Sequence, residues 1–213
     1  MINILNHQAS IANHFLQEMR DKDIQKDRSK FRHNLKKLGQ VMAYEVSKSL
    51  NYKKETVETP LAKMEVEVLG KNPVIVAILR ASMPFFDGFM DYYDKADAAF
   101  IGAYREEGDD ISIKLDYLAA PELEGRTLII VDPMLATGKS LIAAYNQLIS
   151  KGLPSEIHFV SAVAAPEGIE YIAAHLKTNY TIWVASLDEK LNEDSYIVPG
   201  LGDAGDLSFG VKS

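Results

Sequence analysis

Residues 127–140 read TLIIVDPMLATGKS, and the order of side chains in this stretch decides the architecture. Thr127–Val131 is a short continuous aliphatic run, the kind that fits a strand buried on both faces. The run ends on an acid, Asp132, and passes through a loop of small and hydroxyl residues into a helical pattern marked by Leu141, Tyr145, Leu148 and Ile149. Gly152 closes that helix. The same grammar repeats on both sides. Upstream, Val74–Leu79 is a second buried strand, followed by a helix with Pro84 in its first turn and Phe85, Phe86, Phe89, Met90 and Tyr93 behind it. Residues 98–102 offer another strand. Downstream, residues 157–163 and 180–185 are strands, separated by a helix through Ile169, Ile172 and Leu176. Strands alternating with helices predict an α/β fold with a mainly parallel central sheet flanked by helices.

Farther from this centre the pattern changes. The first fifty residues read as helix, with Phe31, Leu35, Leu38, Met42 and Val46 on one face. Met64, Val66 and Val68 alternate with Glu65 and Glu67, as in a half-exposed strand. REEGDD at 105–110 is a charged turn, and Ile111, Ile113 and Leu115 alternate after it, which predicts a protruding β-hairpin arm. No repeat, low-complexity stretch or linker divides the 213 residues, so a single domain spanning 1–213 is expected.

Composition narrows the function. Lys plus Arg is 23 and Asp plus Glu is 30, a net charge of −7, so the overall field does not favour wrapping nucleic acid. The absence of cysteine removes disulfides, thiolate nucleophiles and Cys-based zinc sites together. The N-terminal MINILNHQASIANHF lacks the pattern of a signal peptide, and no apolar run approaches the roughly 18 residues of a membrane span. A soluble cytoplasmic protein with no membrane partner is expected. The five histidines show no metal-ligand spacing, and Trp183 lies in an apolar strand as a core residue would.

In open α/β sheets ligands bind beyond the carboxyl ends of the strands, so the residues just past each strand are the first candidates for a site. Arg80-Ala81-Ser82 comes after the first buried strand, Asp132 through Ser140 after the next, and Ser186-Leu187-Asp188-Glu189 after the last. The middle loop suits a phosphate. Helix-start N–H groups are unpaired, the helix dipole favours an anion there, Thr137 and Ser140 add hydroxyls, and Gly138 lets the backbone come close. Helix capping alone requires neither the strand-end acid nor the TGKS run. A nucleotide-triphosphatase P-loop would need glycine at position 133, where Pro133 stands.

With these residues in view, VDPMLATGKS (131–140) resembles the phosphoribosyl pyrophosphate (PRPP) motif of uracil phosphoribosyltransferases, commonly VDPMLATGGS. YIVPGLGDAGD (196–206) resembles that family's uracil-binding segment, and AAPEGI (164–169), ILRA (78–81), MRDKDI (19–24) and AYE (43–45) also fit it in order. The resemblance implies a phosphoribosyltransferase-like sheet and a reaction of PRPP with uracil giving UMP and pyrophosphate, with Mg²⁺ accompanying the pyrophosphate. It further implies catalytic roles for Asp132, Arg80 and Asp203. Asp132 would bind the ribose hydroxyls and favour positive charge on the ring. Pro133, Met134, Leu135, Ala136, Thr137, Gly138, Lys139 and Ser140 would form the phosphate cradle. Arg80 and Arg105 would meet the pyrophosphate, Asp203 PRPP or its metal, and Ile197, Gly202, Asp203 and Ala204 the uracil side. No protein-held metal site is implied, and a homodimer or larger homo-oligomer is. On residue chemistry alone, Arg105 could equally pair with Glu106 and Glu107.

Three departures from the family pattern bear on turnover. Ser82 stands where glycine is usual, and Met83-Pro84 where Leu-Gly is common, in a loop expected to hold a strained backbone. Lys139 replaces the second glycine of TGG. The arm after Arg105 lacks the Pro and Tyr residues often found there. A PRPP-binding relative without turnover, and a transferase for another base, therefore stand as alternatives.

Overall fold

The computed structural model describes residues 1–106 and 112–211, with side chains described outside 103–116. In chain order the elements are β1 (Ile2–Ile4), α1 (Ala12–Arg20), α2 (Arg28–Ser47), β2 (Tyr52–Glu58), β3 (Lys63–Leu69), β4 (Val74–Leu79), α3 (Met83–Met90), β5 (Asp97–Glu106) and β6 (Ser112–Ala119). There follow β7 (Thr127–Val131), β8 (Met134–Leu135), α4 (Lys139–Leu148), β9 (Glu156–Ala164), α5 (Pro166–His175), β10 (Tyr180–Leu187), β11 (Lys190–Leu191), β12 (Ile197–Val198) and α6 (Ala204–Phe209).

The main sheet runs β1-β10-β9-β7-β4-β5-β6, with β8 beside β9, and every pairing in it is parallel except β5 with β6. Alternation along the buried strands divides the interior in two. Ile75, Ala77, Ile129 and Val131 face one core, shared with Leu16 and Met19 of α1, Phe31 and Leu35 of α2, and Phe85 and Phe89 of α3. Val74, Val76, Leu128 and Ile130 face the other, shared with Leu141 and Leu148 of α4 and Ile172 of α5. Because both faces are covered, these strands read as unbroken aliphatic runs. All five residues of the expected α2 face are buried: Phe31, Leu35, Leu38, Met42 and Val46. Asp27 starts this helix by accepting from the Lys30 N–H at 3.0 Å.

Helices α2 and α3 meet at a pair of glycines. A Cβ on Gly39 would run into the Phe85 carbonyl, and one on Gly88 into the Lys36 carbonyl. The two backbones thus touch directly, which seats α3, the helix just past Arg80, firmly on α2.

The opening fifty residues correct the expectation of continuous helix. Ile2–Ile4 forms an edge strand parallel to β10, and α1 and α2 are separate, with a 3₁₀ turn at Ile24–Lys26 between them. Three residues are too few to show a period of two, so only the sheet edge reveals β1. The antiparallel pair β5–β6 lies where the arm was expected, and residues 107–111 between its strands lie outside the described residues. The strand read at Met64–Val68 is β3, and it belongs to a second hairpin with β2, which had no reading from sequence; the two strands pair with each other, separately from the main sheet, and every residue of β2 is exposed. Among the described residues no helix is long and apolar enough to cross a membrane.

Candidate active site

The chain leaves β4 towards β5 on one side, whereas β7 pairs with β4 on the other. This reversal opens a crevice beyond the carboxyl ends of β4 and β7, where α/β sheets take their ligands. In the β4–β7 register Ala77 lies beside Val131, so Arg80 and Asp132 emerge from adjacent strands at the same edge. The two strand-end residues singled out from sequence are brought to one crevice by that topology.

The loop after β7 is stitched down rather than free. Asp132 N–H donates to the Val160 carbonyl at 3.0 Å, and the Pro133 carbonyl accepts from Ala162 and Val163, each at 3.1 Å. The Leu135 carbonyl accepts from Ala165 at 2.9 Å. Asp132 Oδ1 accepts from the Met134 N–H at 3.4 Å. Gly138, at φ 75°, precedes α4, and a Cβ there would lie 2.7 Å from the Gly168 carbonyl as well as forcing an unfavourable backbone. Lys139, in contrast, is the first residue of α4 and has no positive φ, so its backbone does not require the family's glycine. The first-turn N–H groups of α4 and the hydroxyls of Thr137 and Ser140 cluster beside this anchored loop, an arrangement suited to phosphate oxygens.

Beyond β4 the Leu79–Arg80 peptide is cis, and Ser82 lies in the right-handed helical region at φ −73°. Its buried hydroxyl donates to the Ile78 carbonyl at 2.6 Å. Serine therefore fits the backbone at position 82, which does not require glycine, and its hydroxyl bonds a strand-end carbonyl. Pro84 likewise takes a first-turn position in α3, where a missing N–H costs little. Arg80 Nη2 lies 3.3 Å from the Gly210 carbonyl and 3.8 Å from Asp206 Oδ1, and Ala81 packs against Gly205. The structure thus joins the Arg80 loop to the Gly-rich tail, although Arg80 and Gly210 are 130 positions apart. Arg105 belongs to β5, but its side chain lies outside the described residues.

In the tail, Ile197, Leu201 and Ala204 are buried and anchor the turn, while Gly202 and Asp203 are exposed beside a cleft also lined by Gln25, Arg28 and Leu207. Gly200 and Gly202 have φ of 61° and 89°, so the turn presents backbone that other residues would strain to adopt. Asp203 caps α6, its Oδ1 accepting from the Asp206 N–H at 2.9 Å. Asp203 and Asp206 offer hard carboxylate oxygens on the cleft rim. Among the described residues no three His, Asp or Glu side chains form a self-sufficient metal set. Such a donor set suits a cation that arrives on phosphate oxygens and completes its shell with water and one or two carboxylates.

One element of the site is missing from the sequence reading. Arg20 forks onto Asp188, Nη1 to Oδ2 at 2.7 Å and Nη2 to Oδ1 at 2.6 Å, and Nη1 also donates to the Gly200 carbonyl at 2.9 Å. Asp188 Oδ2 in turn accepts the Gly200 N–H at 2.8 Å, and Ser186 donates to Oδ1 at 3.0 Å. Both residues lie in segments noted from sequence, MRDKDI and the β10 exit, but a separation of 168 positions hides their pairing. Of the histidines, His158 is buried and accepts from Trp183 Nε1 at 3.0 Å, a core contact rather than a ligand. Burial lowers its pKa, against the pull of Glu156.

Comparison with known proteins gives a consistent picture. Residues 6–211 match the family profile described as uracil phosphoribosyltransferase. A uracil phosphoribosyltransferase of Porphyromonas gingivalis is 46% identical over 210 residues, covering 98% of this chain and 97% of that one. One from Ralstonia pickettii is 40% identical over 216 residues, covering 100% and 96%. A solved protein structure from Aquifex aeolicus superposes with a TM-score of 0.88 at 33% identity, covering 99% of each chain.

The Arg20–Asp188 pair gives the site a pH dependence. Burial opposes ionisation of Asp188, but the Arg20 hydrogen bonds and charge, with donors from Gly200 and Ser186, prevail and hold its carboxyl below the usual aspartate range. A depressed carboxyl contributes stability that is present above the unfolded pKa of about 3.9 and is lost as pH falls through the lower folded value. Asp188→Asn should therefore cost roughly 2–3 kcal/mol at pH 7, and the gap to wild type should narrow below about pH 4. Denaturant melts at pH 7 and pH 3 measure both gaps; equal gaps would mean that the ionised pair contributes nothing.

Proposed function

The chain belongs to the uracil phosphoribosyltransferase family, and from that premise we propose that it transfers the 5-phosphoribosyl group of PRPP to uracil, giving UMP and pyrophosphate in pyrimidine salvage. The bond from the anomeric carbon to pyrophosphate breaks, a bond to N1 of uracil forms, and the N1 proton is released. The observation that supports this reading is that Arg80, which leaves β4 at the same sheet edge as the anchored Asp132–Ser140 loop, bonds to the tail that follows the Gly-rich turn.

The α4 N–H groups with Thr137 and Ser140 hold the 5′-phosphate. Asp132 binds the ribose hydroxyls, and its charge favours the ring as it becomes positive. Arg80 and Arg105 grip the pyrophosphate, since guanidinium forks match phosphate oxygens. Asp203 faces PRPP or its Mg²⁺, which when bound neutralises charge on the leaving pyrophosphate. The backbone around Ile197, Gly202 and Ala204 reads the acceptor-donor-acceptor edge of uracil, and cytosine would leave buried groups unpaired there. A cytoplasmic homodimer or larger assembly completes the proposal. The α2 face is buried within the chain, so the support for assembly comes instead from hairpin β2–β3, which exposes Tyr52, Val57, Leu61 and Met64. The fit of Ser82, Pro84 and Lys139 to their backbones weighs against a relative that binds without turnover.

Incubation with PRPP and uracil, cytosine, hypoxanthine or orotate tests the reading. UMP and pyrophosphate should form from uracil alone at an appreciable rate, and comparable turnover of hypoxanthine or orotate would overturn it. Two substitutions then separate charge from backbone. Asp132→Asn should lower kcat far more than it weakens PRPP binding, because the charge counts most in the transition state. Lys139→Gly should weaken PRPP binding by less than about tenfold, or about 1.4 kcal/mol, with kcat nearly unchanged, because the partly exposed side chain is screened by water and the loop's grip comes mainly from backbone N–H groups. Steady-state kinetics with calorimetric PRPP titration reads both; normal turnover in Asp132→Asn would reduce that residue to a strand-end cap.

A further inference from the structure

The turn that reads the base is bare backbone, so something else must fix its shape. Its central residue, Gly200, is buried and held at both polar groups: the N–H by Asp188 Oδ2 at 2.8 Å and the C=O by Arg20 Nη1 at 2.9 Å. A Cβ at Gly200 would collide with the Ile197 carbonyl, so the chain folds back on the segment that carries the base contacts. The two holding groups are themselves locked to each other by the fork at 2.6 and 2.7 Å, with Asp188 only 8% exposed. The next residue is held from the same side, since Gln25, with its amide turned to donate, reaches the Leu201 carbonyl at 2.7 Å and the Met19 carbonyl at 3.0 Å. These holding groups come from the end of α1, the turn after it and the exit of β10, while the Asp132–Ser140 loop is held by backbone bonds to β9 and Ala165.

We propose that Arg20 and Asp188 are positioning residues for base recognition: acting through Gly200, they set uracil affinity and base discrimination and affect the grip on PRPP much less. The inference rests on the uracil reading above. A bidentate guanidinium–carboxylate pair fixes direction as well as distance, which a single ammonium does not. Backbone recognition needs that direction, because a peptide rotated away from the base loses its hydrogen bond without any side chain moving.

The test uses Arg20→Lys, Arg20→Met and Asp188→Asn in the full-length protein, assayed well below each variant's melting temperature. The KM for uracil should rise about tenfold or more in Arg20→Met and Asp188→Asn, and less in Arg20→Lys, while the directly titrated Kd for PRPP, held mainly by the Asp132–Ser140 loop, rises by about threefold at most. The ratio of uracil to cytosine turnover should fall in the same order. Arg20→Lys keeps the charge opposite Asp188, so it remains informative if the other two fail to fold. An unchanged uracil KM in folded variants, or equal losses for uracil and PRPP, would overturn the positioning role. A wild type that turns over no uracil would overturn the functional reading instead, so the two failures are distinct.

Discussion

The burial of parallel strands on both faces is the constraint on which the rest of this protein depends. Strands β4, β7, β9 and β10 send alternate residues into two cores, so neither face of the sheet can meet water. Parallel neighbours cannot be joined by tight hairpins, so the connections cross over through helices. Those helices cover the faces, and the irregular backbone gathers at the strand ends. A ligand site is then forced to that edge, and the reversal of order between β4 and β7 decides where along it the crevice opens.

At the edge, peptide groups released from the sheet need other partners, and this protein answers the need in three ways. After β7 the freed groups bond to the end of β9, which makes the loop a rigid cradle. After β4 the hydroxyl of Ser82 takes the Ile78 carbonyl, so a residue that departs from the family pattern is accommodated by local chemistry. After β10 a carboxylate and a guanidinium hold the Gly200 peptide from both ends. The Asp132–Ser140 loop therefore relies on backbone held by the sheet, and the Gly200 turn on backbone held by a side-chain pair.

The glycines record where backbone must approach backbone. Gly39 and Gly88 let α2 and α3 touch, which seats the helix beyond Arg80. Gly138 turns the chain into α4 hard against the Gly168 carbonyl. Lys139 shows the converse: its position within the helix accepts any L-residue, so replacing a family glycine there leaves the cradle's backbone intact.

What depends on a clear local periodicity was legible along the chain. Aliphatic runs marked β4, β7, β9 and β10, the α2 face was legible from its spacing, and the strand-end motifs named Arg80 and Asp132 before any strand order was known. Strand order, the β1 edge and the second hairpin were not legible, because pairing depends on neighbours distant in sequence and Ile2–Ile4 is too short to carry a period. Nor could sequence foresee that Ser82 has a strand carbonyl to bond, or that the Arg80 loop lies beside Gly205 and Gly210. Only the tertiary structure decided that Arg20 and Asp188 meet at Gly200. An ion pair has no signature along the chain; it exists where two charged groups and a peptide are brought within hydrogen-bond distance by the packing of elements that lie far apart in sequence.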